Sequence, residues 1–330
     1  MGKETYRASG VDINLAQEAI RALVGKITYR RKGDIRMAGS VGHYAGLMEF
    51  GDHVLALTTD GVGTKMLVAD QLKNWRTVGI DCIAMNVNDL LVMNVEPVAF
   101  VDYIAAERLS VETMRQIGEG LNEGARQANV DIVGGETAQL RDLVHGLDLA
   151  GTCLGVQEKA RVVTGEKIVP GDRIIGVPSS GIHSNGLSLA RRIVESHASY
   201  DERLPGGRTA GEEMLVPTRI YREALEVCRS TEVHGMCHVT GGGLLNFTRL
   251  TPHGFSFTRP LPVPPIFSWL QGKGDVDPLE MYRTFNMGMG YAYVVPETSV
   301  KTVLGRVPGA AVVGEIVGGS GVRVKGLEIR

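Results

Sequence analysis

Several carboxylates of this chain stand in apolar or glycine-rich company, where a carboxylate needs a partner. Asp60 ends the run V-L-A-L-T-T and opens D-G-V-G-T-K. Asp81, Asn88 and Asp89 lie in G-I-D-C-I-A-M-N-V-N-D-L, Asp102 in F-V-D-Y-I and Glu136 in G-G-E-T. Carboxylates are seldom buried unless paired or holding a cation. Singly, each reads as a cap or a salt bridge. As a set at strand ends, beside glycines and threonines, Asp60, Asp89 and Glu136 fit oxygen ligands for Mg²⁺. That ion keeps some of its waters and is shared with substrate phosphates.

The stretch T-T-D-G-V-G-T-K, residues 58–65, looks like a phosphate loop but does not meet G-x-x-x-x-G-K-[ST]. Its aspartate makes sense if phosphates arrive with a cation. Gly61 and Gly63 let the backbone turn, Thr64 follows, and Lys65 is placed as a point charge on phosphate. A second polar loop, S-S-G-I-H-S-N-G at 179–186, lies between a strand and a helix. A helix N-terminus offers free N–H groups to an anion. Ser184 or Asn185 can simply cap that helix, yet the loop holds more polar side chains than capping requires. His183 is of the type that moves protons near neutral pH. Two more glycine loops, H-V-T-G-G-G and F-N-M-G-M-G, suggest a cleft lined from both halves. No H-E-x-x-H motif and no G-x-S-x-G elbow are present.

The elements that must position these groups follow from periodicity. Residues 53–60, 98–105, 130–133 and 147–156 read as strands, the third running into G-G-E-T. Ile80, Ala84, Val87 and Leu91 mark one face of a helix over 77–94, with Asp81 and Asn88 sharing an edge. A second helix spans 111–128 with Ser110 as N-cap. After a charged break with Pro-Gly-Asp at 158–172, strands are expected at 173–178, 233–239, 289–295 and 311–316. Helices are expected at 187–196, 218–229 and 242–250, with P-L-P-V-P-P at 260–265 as a stiff connector. Helices and strands mix without strict alternation, and no G-x-G-x-x-G follows a strand. The expected class is α+β, with helices on mixed or antiparallel sheets. At 330 residues the chain is expected to form two domains, 1–160 and 161–330.

The net charge of −2 and 5% aromatic content argue against a nucleic-acid partner. No apolar run approaches the roughly 20 residues of a membrane span. Cys82, Cys153, Cys228 and Cys237 form no C-x-x-C pair and read as reduced, buried thiols of a cytoplasmic enzyme. The polar start M-G-K-E-T-Y-R has no signal-peptide core. Glycine, at 43 residues, is nearly twice its usual ~7% share. Its clusters, including 39–46, suggest backbones that approach a ligand closely.

Eight motifs occur together in order: Y-R-A-S-G-V-D-I, T-D-G-V-G-T-K, G-I-D-C-I-A-M-N-V-N-D-L, G-G-E-T-A, S-S-G-I-H-S-N-G, P-T-R-I-Y, H-V-T-G-G-G and M-Y-R-T-F-N-M-G-M-G. In these the chain resembles the aminoimidazole ribonucleotide synthetases, or phosphoribosylformylglycinamidine cyclo-ligases, of purine biosynthesis. The resemblance implies a two-domain α+β fold and a homodimer joined by a barrel of N-terminal strands. It implies ATP, Mg²⁺ with K⁺ as an open addition, and formylglycinamidine ribonucleotide as substrate. Carried onto this sequence, it puts Gly61, Gly63, Thr64, Lys65, Asn88, Gly134, Gly135 and Thr137 near ATP. Ser180, Gly181, His183, Ser184, Asn185, Thr240, Gly241 and Asn286 fall near the substrate, Asp60, Asp89 and Glu136 near the metal, and Asp60, Lys65 and His183 in catalysis. Selenophosphate synthetase and small-molecule kinases share the fold, but residues 1–50 lack the cysteine the former needs. A non-catalytic nucleotide sensor would be expected to have lost the acidic residues.

Overall fold

The computed structural model describes residues 4–38 and 43–329; of the 39–46 glycine cluster, residues 39–42 lie outside them. In the first half, helices α1 (Ile13–Val24), α2 (Lys65–Leu72), α3 (Arg76–Leu91) and α4 (Val111–Ala128) accompany six strands. These are β1 (Met37–Ala38), β2 (Gly46–Phe50), β3 (His53–Gly61), β4 (Glu96–Ala106), β5 (Asp131–Gln139) and β6 (Leu147–Glu158). Among the described residues they form one sheet in the order β1-β2-β3-β6-β4-β5. Only the β4–β5 pair in it is parallel.

The second half carries α5 (Leu187–His197), α6 (Ala210–Met214), α7 (Glu223–Ser230), α8 (Pro265–Gly274), α9 (Pro278–Thr284) and α10 (Val300–Arg306). Its strands are β7 (Arg173–Pro178), β8 (Gly235–His238), β9 (Gly254–Phe257), β10 (Met289–Val295), β11 (Ala311–Val317), β12 (Val322–Val324) and β13 (Leu327–Ile329). They build a second mixed sheet, β13-β12-β9-β11-β7-β10-β8. The class is α+β. Residues 4–6 lie against the second half: the Glu4 N–H donates to Gly274 O and the Tyr6 N–H to Glu280 Oε1.

Alternation explains β3. Val54, Ala56 and Thr58 are buried while His53, Leu57 and Thr59 face out. Helix α4 begins as its residues dictate, with Ser110 Oγ accepting from the Thr113 N–H at 3.3 Å. The α3–α4 crossing depends on glycine. A Cβ on Gly120 would lie 2.1 Å from Arg76 O, and one on Gly79 2.3 Å from Leu121 N. Backbone cannot give way as a side chain can. Gly120→Ala is therefore expected to cost roughly 1–3 kcal/mol in urea unfolding, whereas Gly118→Ala, which meets open space, is expected to cost nothing measurable.

Two expectations change. The strand expected at 130–133 extends through G-G-E-T, since residues 134–137 continue β5. F-N-M-G-M-G follows α9 and leads into β10 rather than following a strand.

Candidate active site

Asp60 sits near the C-terminal end of β3. Register places Asp60, Gly151, Asp102 and Gly135 in one row across β3, β6, β4 and β5. Directly paired residues share a face, and this face is the one buried through Phe100. The glycines keep the row open. A Cβ on Gly135 would lie 2.5 Å from Asp102 Oδ1, and one on Gly151 2.0 Å from the Phe100 ring. Burial raises the Asp102 carboxyl. Burial first, and then the negative charge of Asp89, pushes Asp60 up to about 6. The Gly61 N–H, donating to Asp60 Oδ1 at 2.8 Å, only partly offsets this.

Asp89, from α3, faces the second half, where His238 Nδ1 lies 2.9 Å from its Oδ1. His238, at the end of β8, is wholly buried. Sequence reasoning placed His238 inside a glycine motif and gave it no role. The signal was a histidine ending an apolar strand. The Asp89 charge adds to the cost of ionising Asp60, which a bound cation would offset. Mg²⁺ typically takes only one or two protein carboxylates and completes its shell with phosphate and water.

Glu136 does not join them. It pairs with Tyr103, one residue beyond the Asp102 row, so strand alternation turns it to the opposite, exposed face. Among the described residues no group of three or more His, Cys, Asp or Glu is placed to hold a metal. The three-carboxylate expectation reduces to Asp60 and Asp89.

Lys65 is a second correction. It opens α2, is fully buried, and lies 2.9 and 2.8 Å from the two Asp81 oxygens. A second donor goes to Val216 O at 2.7 Å. With two of its three donors hydrogen-bonded and no exposure to solvent, the ammonium faces Asp81 and the 216–218 segment in this conformation, not an open phosphate site. Asp81 Oδ1 also accepts from the Thr218 N–H at 2.7 Å, Thr218 Oγ1 at 2.6 Å and Ser184 Oγ at 3.0 Å. Ser184 is thus turned into the protein. Asn88, one edge of α3 further on, donates to Arg219 O at 2.8 Å and accepts from the Tyr221 N–H at 3.0 Å. The shared edge foreseen for Asp81 and Asn88 exists. Its work is to strap P-T-R-I-Y onto α3, so Asn88 has no free group to offer ATP there.

Asn286 is equally committed. Its amide donates to Gly181 O and Ile182 O, and its oxygen accepts from Ser179 Oγ and the Gly288 N–H. Through these bonds it shapes the 179–186 loop. His183 is fully buried at φ +65°. Its Nε2 accepts from the Ser180 N–H at 3.2 Å, and its Nδ1 has no partner among the described residues. Burial, then the positive charges of His238, Lys65 and Arg219, holds its pKa well below 6.5. A neutral imidazole at physiological pH is not the proton carrier expected from residue type alone.

The groups left facing outward are backbone and small polar ones. Thr64 Oγ1 lies 3.1 Å from Ser188 Oγ, and Gly63 turns at φ +68°. Ser180 donates to Pro217 O, with its edge exposed. Asn185 Oδ1 would be 3.3 Å from a Cβ on Gly241, so the 179–186 loop and Thr240-Gly241 meet there. Gly134, Gly135 and Thr137 lie exposed on edge strand β5, with Thr137 one row beyond Asp102 on the same face.

Comparison with known proteins decides the family. Residues 42–157 match the model of the AIR synthase related protein, N-terminal domain, and residues 169–326 that of the C-terminal domain. The chain belongs to the AIR synthase related family. Phosphoribosylformylglycinamidine cyclo-ligase of Methanococcoides burtonii is 52% identical over 328 residues, covering 98% of each chain. Among solved structures, "AaThiL complexed with AMPPCP and TMP" superposes with a TM-score of 0.69 at 16% identity, over 96% of this chain and 94% of that one. "T. maritima PurL complexed with ADP" gives a TM-score of 0.59 at 17% identity, over 89% of this chain and 45% of that one. At such identities the likeness is one of fold, and it is the fold the family shares.

Proposed function

We propose that this chain closes formylglycinamidine ribonucleotide to aminoimidazole ribonucleotide, using ATP and releasing ADP and phosphate. The observation that carries this is end-to-end similarity to a named cyclo-ligase at 52% identity. ATP as co-substrate is supported by fold neighbours that hold AMPPCP or ADP. The chemistry needs it. An amide oxygen is a poor leaving group, and its phosphorylation allows an amidine nitrogen to attack the carbon, close the ring and expel phosphate. Such transfer depends on positioning and charge neutralisation more than on covalent help from the protein.

Asp60 and Asp89 would hold Mg²⁺, which supplies positive charge to the polyphosphate. The chain's own groups do the rest. His238 donates to Asp89 and fixes its carboxylate. Asn286, Ser184 and His183 set the shape of the 179–186 loop. Thr64, Ser180, Asn185 and the glycine backbones of 61–63 and 240–241 face the cleft and would orient the two substrates. The direct test is purified protein with ATP, Mg²⁺ and formylglycinamidine ribonucleotide. Aminoimidazole product formed in step with ADP is expected, and its absence would sink this reading.

A homodimer belongs to the same proposal. The outer face of the first sheet exposes Leu57, Val101, Tyr103 and Val133 together, more apolar surface than a solvated sheet face carries. Val101→Glu is expected to shift the protein from dimer to monomer in light scattering, because it buries a charge in that contact. An unchanged mass would remove this face from the interface. Among the described residues no helix is long and apolar enough to cross a membrane. A cytoplasmic location is part of this reading.

A further inference from the structure

The motif Y-R-A-S-G-V-D-I is not used by the mechanism above. It forms one wall of a cavity of about 320 Å³, with Thr5, Tyr6, Arg7, Val11 and Asp12 on one side and Glu280, Arg283 and Thr284 of α9 on the other. Three observations point to an absent ligand. Thr284 is fully buried, lines the cavity, and its hydroxyl has no hydrogen-bond partner among the described residues. The Nε of Arg283 is buried without a partner, and its guanidinium makes no ion pair among the described residues. The cavity also abuts the N-terminus of α5. There Gly186 is the N-cap with no side-chain cap, and a Cβ placed on it would lie 3.2 Å from Thr284 Cγ2.

The acids in the wall are already engaged. Asp12 pairs with Arg7 at 3.0 Å, and Glu280 accepts from the Tyr6 N–H at 3.0 Å. Arg283, which makes no ion pair among the described residues, is the side chain with hydrogen-bond donors to spare. Leaving a buried donor unmade costs free energy, so the protein gains when a ligand satisfies it. A planar guanidinium, a hydroxyl and uncapped helix N–H groups match a tetrahedral oxyanion. A dipole role for Arg283 at the end of α9 would not explain the idle Thr284 hydroxyl.

We infer that this cavity is the subsite for a phosphate monoester, the 5′-phosphate of the ribonucleotide substrate, with Arg283 and Thr284 as its ligands and Tyr6 closing it. The assignment rests on the cyclo-ligase reading. It gives the N-terminal motif a use, since Tyr6 lines the cavity beside Arg283 and Thr284.

Three full-length proteins test it: wild type, Arg283→Gln and the near-isosteric Thr284→Val. Each is assayed with formylglycinamidine ribonucleotide and with the dephosphorylated ribonucleoside. Arg283→Gln is expected to raise KM for the nucleotide by about 10-fold or more, and Thr284→Val to raise it by less. KM for ATP and the rate on the ribonucleoside should not change. Equal losses on both substrates, or a shift in KM for ATP, overturn the assignment. Calorimetry with ribose 5-phosphate, in the absence of ATP, separates this from the parent reading. Binding to wild type that Arg283→Gln abolishes supports the subsite even if no cyclisation is found. A wild type that cyclises yet does not bind ribose 5-phosphate loses it. If inorganic phosphate binds as well as ribose 5-phosphate and the nucleotide is not preferred over the nucleoside, the cavity belongs to free phosphate and the inference fails.

Discussion

Asp60→Asn is expected to lower kcat by about 10²–10³-fold, the range seen when one preorganised electrostatic partner of a transition state is removed. The same variant should be no less stable than wild type, and above pH 6 it should be more stable. The reason is in the site. Asp60 binds its proton with a pKa of about 6 in the fold against 3.8 for the free side chain. Across that interval the folded state binds more protons than the unfolded one, so stability falls as pH rises through it. Above pH 6 the full cost is present, roughly 3 kcal/mol. Asparagine removes the charge, keeps an oxygen for the Gly61 N–H, and should flatten the pH dependence between 4 and 6 when no divalent cation is present. Loss of activity with gain of stability separates a functional carboxylate from a structural one. A variant with near-normal kcat, or one that unfolds more easily at pH 7, would take Asp60 out of the metal site.

The sequence was legible where a local rule operates. Ser110 caps α4 because its side chain reaches the Thr113 N–H. The α3 edge carrying Asp81 and Asn88 follows from helical spacing. The α+β class followed from mixed elements, and the family from motifs in order. Depth was not legible. Lys65, His183 and Asn286 have the residue types of a site, and each lies buried with its polar groups turned inward. Nothing local distinguishes a lysine that faces phosphate from one that faces an aspartate 16 residues away. Glu136 failed for another reason. The strand was bounded at 130–133, short of Glu136, and in a strand a one-residue step reverses the face. His238 was missed because its partner, Asp89, is 149 residues distant.

That distinction between reach and depth makes Asp81 the residue with the largest expected effect on stability. Its carboxylate is the only acid paired with Lys65 among the described residues, and neither side chain is exposed to solvent. Burial lowers the Lys65 pKa, and Asp81 opposes that shift. Asp81→Ala would leave a buried ammonium unpaired, with the Thr218 N–H and two hydroxyls also losing their acceptor. Breaking one partner of a buried pair costs roughly 3–5 kcal/mol. Removing both charges is far less costly, so Lys65→Met with Asp81→Asn should recover most of the loss. The Asn oxygen still accepts from Thr218 and Ser184. A cost near zero for Asp81→Ala in urea unfolding would contradict the hub. The double variant also decides the place of Lys65 in catalysis. If its ammonium only braces α2 against α3 and the 216–218 segment, the folded double variant keeps its KM for ATP. A large rise in that KM, with the fold intact, would return Lys65 to the phosphates and require the loop to open in solution.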